Sequence, residues 1–283
     1  MRERLVITLK FWKMNGAGND FIIINNIEEC IPESAFPAIA AKICERHLSI
    51  GADGLMVIEK AKGNGNFRMV FYNSDGSEGE MCGNGARCIC RYGYENGLAG
   101  EVQQVETMSG TVTGWRIDER NYRVKLNPAT VVDLDRSAEA EGVSYDCVYV
   151  ELGDPGLPHA VVHIEGLERI PGQELKALGR KLRFAKAFPK GANVNFYEIY
   201  PDGSLRIRTY ERGVEDLTYA CGTGTASTAL ALMKKGLVPE GKSVLAHVHG
   251  GELSVDINGG DIFLTGPTNI VAVGEIKDEE LKF

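Results

Sequence analysis

The same sequence pattern occurs twice in this chain, and that repetition rules out most architectures. Cys82-Gly83-Asn84-Gly85 returns 139 residues later as Cys221-Gly222-Thr223-Gly224. Gly51-Ala52-Asp53, before the apolar run Leu55 to Ile58, is matched by Gly191-Ala192-Asn193 before Val194 to Ile199, an offset of 140. Phe67 to Tyr72 alternates apolar and polar residues and ends at Asn73; Leu205 to Tyr210 does the same and ends at Glu211, an offset of 138. Asn19-Asp20 precedes Phe21 to Ile24 as Pro158-His159 precedes Ala160 to Val162. A period this long is not that of a solenoid, whose repeats run to 20–50 residues. It predicts a duplicated domain whose halves are related by a pseudo-twofold axis.

Each Cys-Gly-x-Gly is expected to open a helix. After Cys82, the residues Ala86, Ile89, Cys90 and Gly93 recur at helical spacing. Arg87, Arg91 and Glu95 fall on the other side, and Gly97 is a stop signal. After Cys221, the stretch Thr225 to Met233 is small or apolar all round, the signature of a helix enclosed by other elements. The rest is rich in short alternating runs such as Val102 to Thr107 and Tyr122 to Leu126. The expected fold is α+β: two pseudo-symmetric domains, each a curved mixed or antiparallel sheet around a central helix, with an active site in the interdomain cleft. The halves are drawn at 1–127 and 128–266, the strand over 267–283 returning to the first.

A helix N-terminus carries unpaired N–H groups and partial positive charge, and so holds a carboxylate without a basic side chain. A cysteine just before that turn feels the same field, which stabilises its thiolate and draws its pKa toward neutrality. Glycines at 83, 85, 222 and 224 let a ligand approach the backbone. Two such motifs facing each other place one sulfur on each side of a carbon next to a carboxylate. One thiolate can remove the α-proton while the opposite thiol returns one to the other face, which inverts the centre. The oriented N–H groups would stabilise the charge that develops as the carbanion forms.

The remaining features narrow the class. With 43% hydrophobic and 25% charged residues the composition is that of a soluble globular protein. A net charge of −8 argues against a nucleic-acid partner. No membrane span or signal peptide is recognisable, so a cytoplasmic location is expected. The seven cysteines fit no disulfide framework, and the Cys82, Cys88 and Cys90 cluster fits no zinc spacing, so no metal is expected. Cys30, Cys44, Cys88, Cys90 and Cys147 are read as structural.

Five stretches resemble diaminopimelate epimerases: Lys13-Met14-Asn15-Gly16-Ala17-Gly18-Asn19-Asp20-Phe21, Asn73-Ser74-Asp75-Gly76-Ser77-Glu78, Met81-Cys82-Gly83-Asn84-Gly85-Ala86-Arg87-Cys88, Tyr210-Glu211-Arg212-Gly213 and Ala220-Cys221-Gly222-Thr223-Gly224. They span nearly the whole chain. Proline racemase-like enzymes share the two-cysteine plan but not the Asn-Gly-Ala-Arg continuation. The resemblance implies an epimerase of lysine and peptidoglycan synthesis that needs no cofactor, acts on a small-molecule amino acid and is often a homodimer. It implies Cys82 and Cys221 as the acid and base pair, and Gly83, Asn84, Gly222 and Thr223 as the cradle of the reacting carboxylate. Arg212 would clamp the distal carboxylate, a bidentate task suited to a guanidinium. Asn19, Asn73 and Asn193 would line the substrate, Glu211 would lie near the ammonium, and His159 and Glu211 would orient or tune the thiols. Taken alone, Asn19, Asn73 and Asn193 read as turn residues, His159 as a structural histidine, Asp75-Gly76 as a turn and Lys13 as a solvated charge.

This chain departs from the family pattern in two places. Relatives carry Gly-Asn-Pro-His where Gly156-Leu157-Pro158-His159 stands here, and the run Val214 to Tyr219 is longer and more apolar than usual. Leu157 keeps a second substrate open, a related racemase acting on another amino acid such as histidine. A cysteine hydrolase or redox protein, and a silent amino-acid-binding module, are further alternatives. Two thiols flanking one carbon also predict reversible oxidative inactivation, since a disulfide spans Cα atoms about 5.5–6 Å apart.

Overall fold

The computed structural model describes residues 8–79, 83–277 and 281. Along the chain come β1 (Leu9–Gly16), β2 (Asn19–Asn25), a single helical turn α1 (Asn26–Glu29), α2 (Phe36–Ile43), β3 (Gly54–Glu59), β4 (Phe67–Asn73), α3 (Gly83–Glu95), β5 (Val102–Thr107), β6 (Gly110–Arg116) and β7 (Asn121–Leu126). There follow β8 (Ala129–Ala140), β9 (Val143–Leu152), β10 (Leu157–His163), α4 (Gly172–Arg183), β11 (Asn193–Ile199), β12 (Leu205–Glu211), β13 (Asp216–Thr218), α5 (Gly222–Lys234), β14 (Val244–Val248), β15 (Gly251–Asn258), β16 (Asp261–Pro267) and β17 (Asn269–Ile276). The chain divides into two compact units, Met1–Tyr122 with Thr268–Phe283, and Arg123–Pro267.

In the first unit β1 pairs antiparallel with both β17 and β2, β2 parallel with β3, β3 antiparallel with β4, β4 parallel with β5, and β5 antiparallel with β6. The second unit repeats this term for term. There β9 pairs antiparallel with β8 and β10, β10 parallel with β11, β11 antiparallel with β12, β12 parallel with β14, and β14 antiparallel with β15. The repeated sequence period is therefore a repeated strand order.

Each unit has one helix against the outer face of its sheet and one against the inner face. In the first, Ile22, Ile24, Leu55, Val57, Val70 and Tyr72 pack with Phe36, Ile39 and Ile43 of α2. The alternate residues face α3, which packs on β1, β2 and β6. Coverage of both faces explains why Phe21 to Ile24 reads as an unbroken apolar run rather than an alternation. In the second, Ala160, Val162, Val194, Phe196 and Tyr210 pack with Leu175 and Leu182 of α4. Glu174 in the first turn of α4 and Arg180, Lys181 and Arg183 in its last suit the helix dipole. The opposite face receives α5, which packs on β9, β10, β11 and β15. Among the described residues no helix is long and apolar enough to cross a membrane.

One sequence expectation is corrected here, and two charged residues depart from the usual amphipathic pattern. Arg87 and Arg91 do not lie on a solvent face: Arg87 is wholly buried and Arg91 nearly so. Arg87 turns back on its own helix, donating to the Gly83 carbonyl at 3.3 Å and to Asn84 Oδ1 at 3.0 Å. Arg91 donates to the Thr268 carbonyl at 2.9 Å, in the segment that leads into β17. Lys13 is not a solvated charge either. It is buried, forms an ion pair with Asp20 at 2.6 Å and donates to the Gly51 carbonyl.

Candidate active site

The second unit presents its cysteine motif in full. Cys221 is the N-cap of α5, in extended conformation (φ −115°, ψ 108°). Its Sγ accepts the backbone N–H of Gly224 at 3.4 Å and lies 3.5 Å from the Thr223 hydroxyl. This is the capping role usually filled by a serine or aspartate oxygen, so an N–H that the helix leaves unpaired is aimed at sulfur. That donor and the helix field both favour negative charge on the thiol group. Gly222 and Thr223 form the rest of the first turn, and Cys221 itself is buried.

The sheet beneath this turn is polar. Alternation along β10, β11 and β12 puts His159, Asn193, Asn195, Thr209 and Glu211 on the face away from the α4 core. His159 is paired across the strands with Asn193, and Asn195 with Thr209. Asn193 ties β10 to the end of β12: its Nδ2 donates to the Pro158 carbonyl at 3.2 Å and its Oδ1 accepts the Arg212 N–H at 2.8 Å. The Arg212 guanidinium reaches the Lys190 carbonyl at 3.4 Å.

His159 is wholly buried. Burial, with the Arg212 charge adding to it, pushes its pKa down to about 3, so the ring is neutral at physiological pH. Its Nε2 has no hydrogen-bond partner among the described residues. Leaving a buried donor unpaired costs about 1–3 kcal/mol. Asn195 and Thr209 were not singled out from the sequence. Their signal was there: polar residues at inward positions of strands otherwise apolar, with Asn195 two residues from Asn193 on the same face.

In the first unit the sulfur residue itself, Cys82, lies outside the described residues. Gly83 and Asn84 form the start of α3, both buried. Asn19 begins β2 and donates to Asp53 Oδ2 at 2.6 Å. Arg46 bridges Asp20 at 2.6 Å and Asp53 at 2.9 Å. Burial raises the Asp20 carboxyl, but the hydrogen bonds from Lys13 and Arg46 outweigh it and hold the group below its usual range. Asn73 ends β4 in a turn: its N–H donates to the Ser77 carbonyl at 2.8 Å and its Nδ2 to Ser77 Oγ at 3.0 Å. Asn19 and Asn73 thus flank β3 from the two neighbouring strands.

Leu157 opens β10 opposite Leu152. Beside Gly156, a buried carboxylate, Glu151, takes hydrogen bonds from Tyr149 at 2.6 Å and Lys190 at 3.0 Å. The run before Cys221 contains β13, which pairs with β12 and binds Lys176 through Asp216 at 2.5 Å. Among the described residues no group of three or more His, Cys, Asp or Glu side chains is placed to hold a metal ion. Cys90 and Cys44 are driven up to about 12, and Cys147 to about 11, chiefly by burial, as expected of structural thiols.

Comparison with known proteins places the chain in a family. The family model described as diaminopimelate epimerase matches residues 11–132 and 153–271. A diaminopimelate epimerase of Aquifex aeolicus (strain VF5) is 36% identical over 97% of this chain and 100% of its own length. That of Methanothrix thermoacetophila is also 36% identical, over 97% and 98%. Among solved structures, a hydroxyproline epimerase from Agrobacterium vitis aligns with a TM-score of 0.75 at 17% identity, covering 97% of this chain and 94% of that one. A PhzF-family phenazine biosynthesis protein of Bacillus anthracis aligns with a TM-score of 0.73 at 14% identity, covering 95% and 99%. The two structures share the fold alone. The full-length relatives and the family model go further, and this chain belongs to the diaminopimelate epimerase family, a family of isomerases.

Proposed function

We propose that this protein interconverts LL- and meso-diaminopimelate with two cysteine bases and no cofactor. One thiolate takes the α-proton, leaving its electron pair on carbon as a carboxylate-stabilised carbanion. The other thiol then gives its proton to the opposite face and becomes the thiolate. Cys82 and Cys221 are the two sulfurs in this reading, one from each repeat. Backbone N–H groups of Gly83, Asn84, Gly222 and Thr223 hold the reacting carboxylate. Arg212 takes the distal carboxylate, with Asn19, Asn73, Asn193 and Glu211 around the polar groups and His159 beside them. The reading carries with it a role in lysine biosynthesis, a cytosolic location and a homodimer.

The observation that supports it best is the capping geometry of Cys221, whose sulfur sits where a helix N-terminus stabilises an anion. The test is incubation of the reduced protein with LL-diaminopimelate in D2O. Deuterium at the α-position and appearance of the meso isomer without added cofactor are expected. Neither occurring would overturn the reading. A second substrate, another amino acid such as histidine, is favoured by one feature: Leu157, next to Gly156 and its neighbour Glu151, where relatives present an amide. Arg212→Ala separates the two, since loss of a bidentate carboxylate contact should cost at least 100-fold in kcat/KM on diaminopimelate. Little loss would favour the second substrate.

A further inference from the structure

The two units fill equivalent inner-face positions with opposite chemistry. The pairing of Phe21 with Gly54, and of Ile23 with Met56, corresponds to that of His159 with Asn193 and Val161 with Asn195. Register and facing thus match Phe21 to His159, Met56 to Asn195 and Phe71 to Thr209. In the first unit these positions make an apolar floor for α3, with Phe21 and Phe71 edge to face at 6.0 Å. The fold therefore does not require a polar floor, and the one under α5 calls for another explanation.

Its hydrogen bonds are directional. Asn195 is wholly buried, and its Nδ2 faces the carbonyls of Ala160 at 3.3 Å and Asn193 at 3.4 Å. Two carbonyls fix the NH2 on that side, and the Thr209 hydroxyl meets Oδ1 on the other at 3.0 Å. His159 Nδ1 lies 3.3 Å from the same Nδ2. An amide nitrogen has hydrogens and no available lone pair. A proton on Nδ1 would collide with them, so Nδ1 must be the acceptor and the ring proton must sit on Nε2.

We propose that Asn195, held by Thr209, is a positioning residue that fixes His159 as the neutral Nε2–H tautomer and so reserves that N–H to donate to a carboxylate oxygen of the amino-acid substrate. The inference rests on the proposed function for the identity of the ligand. It explains why Nε2 is buried without a partner among the described residues. The adjacent Arg212 charge suits an anionic acceptor at that place. Asn195 Oδ1 also lies against Gly224, so one carboxamide packs on both the ring and the first turn of α5.

The test is a long-range 1H–15N spectrum of the reduced, histidine-labelled full-length protein, which has five histidines. His159 is assigned by loss of its signals in His159→Gln. The expected spectrum has a protonated Nε2 and an unprotonated Nδ1. A proton on Nδ1 in the unsubstituted protein overturns the inference, and His159→Asn supplies the assignment should His159→Gln not fold. Adding diaminopimelate should move the Nε2–H resonance downfield, and an unmoved resonance at saturating ligand overturns the donor role. In Asn195→Asp the proton should transfer to Nδ1 and kcat fall at least tenfold with KM changed less. Thr209→Ser should keep both tautomer and rate, and Thr209→Val neither. Deuterium exchange by the unsubstituted protein reports the parent reading separately: absent exchange with an Nε2–H ring would refute the epimerase, not the tautomer.

Discussion

The glycines at the third helical position of each motif, Gly85 and Gly224, occupy equivalent places, yet alanine should be tolerated at one and not at the other. A Cβ built on Gly85 falls 2.0 Å from the terminal methyl of Met56, with its next neighbour, Phe21 Cζ, at 3.4 Å. A methionine end is flexible and can swing aside. Relief of helix-interior glycine contributes up to about 1 kcal/mol, so Gly85→Ala should lie within about 1 kcal/mol of the unsubstituted protein. A Cβ on Gly224 falls 2.1 Å from Asn195 Oδ1 and 3.2 Å from Cys221 Sγ. That carboxamide is anchored by two carbonyls, the His159 ring and Thr209. Displacing it costs about 1–3 kcal/mol in overpacking and about 1–3 kcal/mol more where a buried polar group loses its partner. After the helix gain, a net loss of about 1–5 kcal/mol is expected, roughly 2–8 °C in Tm for a chain of this length. Urea and thermal unfolding of both variants measure the difference. The mechanism makes a sharper demand: in a Thr209→Val background, Gly224→Ala should cost about 1 kcal/mol less, because the bond it breaks is already gone. Equal losses for the two glycines, or strict additivity with Thr209→Val, would refute the locked carboxamide.

Two other outcomes follow from the buried titratable groups. His159 binds its proton near pH 6.5 when unfolded and only at about 3 when folded, so the unfolded state takes up the proton first as pH falls. Its stabilisation is complete above pH 6.5 and is lost toward pH 3, with a slope of about 1.4 kcal/mol per pH unit and a total of roughly 4–5 kcal/mol; His159→Gln should lack that slope in urea titrations run across the window. The apolar burial that keeps Cys44, Cys90 and Cys147 protonated should also protect them from iodoacetamide at pH 8, whereas the exposed Cys30 is alkylated; peptide mass spectrometry showing early modification of the buried three would count against their structural role.

Much of the fold was legible because it is written twice. The strands Phe21 to Ile24, Leu55 to Ile58 and Val194 to Ile199 are apolar enough to be recognised singly, and their recurrence carried the duplication. What failed were charges whose partners are distant in sequence or hidden in local geometry. Helical periodicity set Arg87 and Arg91 opposite the apolar stripe, a side that usually meets solvent. Strands enclose α3 instead. Arg87 is satisfied partly by the first turn of its own helix, and Arg91 by a carbonyl 177 residues away. Lys13 read as solvated for the same reason: its partners Asp20 and Gly51 meet it only once β1, β2 and the loop before β3 are assembled. In the candidate site, the glycine-flanked cysteines were visible as motifs. The Asn195–Thr209 pair was not, because a strand asparagine acquires its role from the neighbour that register places beside it.

The duplication also bears on how one scaffold could serve a substrate whose two ends differ. The buried guanidinium of Arg87 points back to the first turn of α3, while the matching position of α5 is Ala226, equally buried but a methyl group. On the sheets the contrast reverses: Phe21, Met56 and Phe71 under α3, His159, Asn195 and Thr209 under α5. One half thus buries the Arg87 cation on the helix above an apolar floor, and the other carries neutral hydrogen-bonding groups on the floor below an uncharged helix turn. Helix dipoles alone would give both cysteine motifs the same field. On the proposed function, the two sulfurs would stand in similar turns but in different electrostatic surroundings. Substitution at the inner-face positions supplies that difference without altering the strand order that places the motifs.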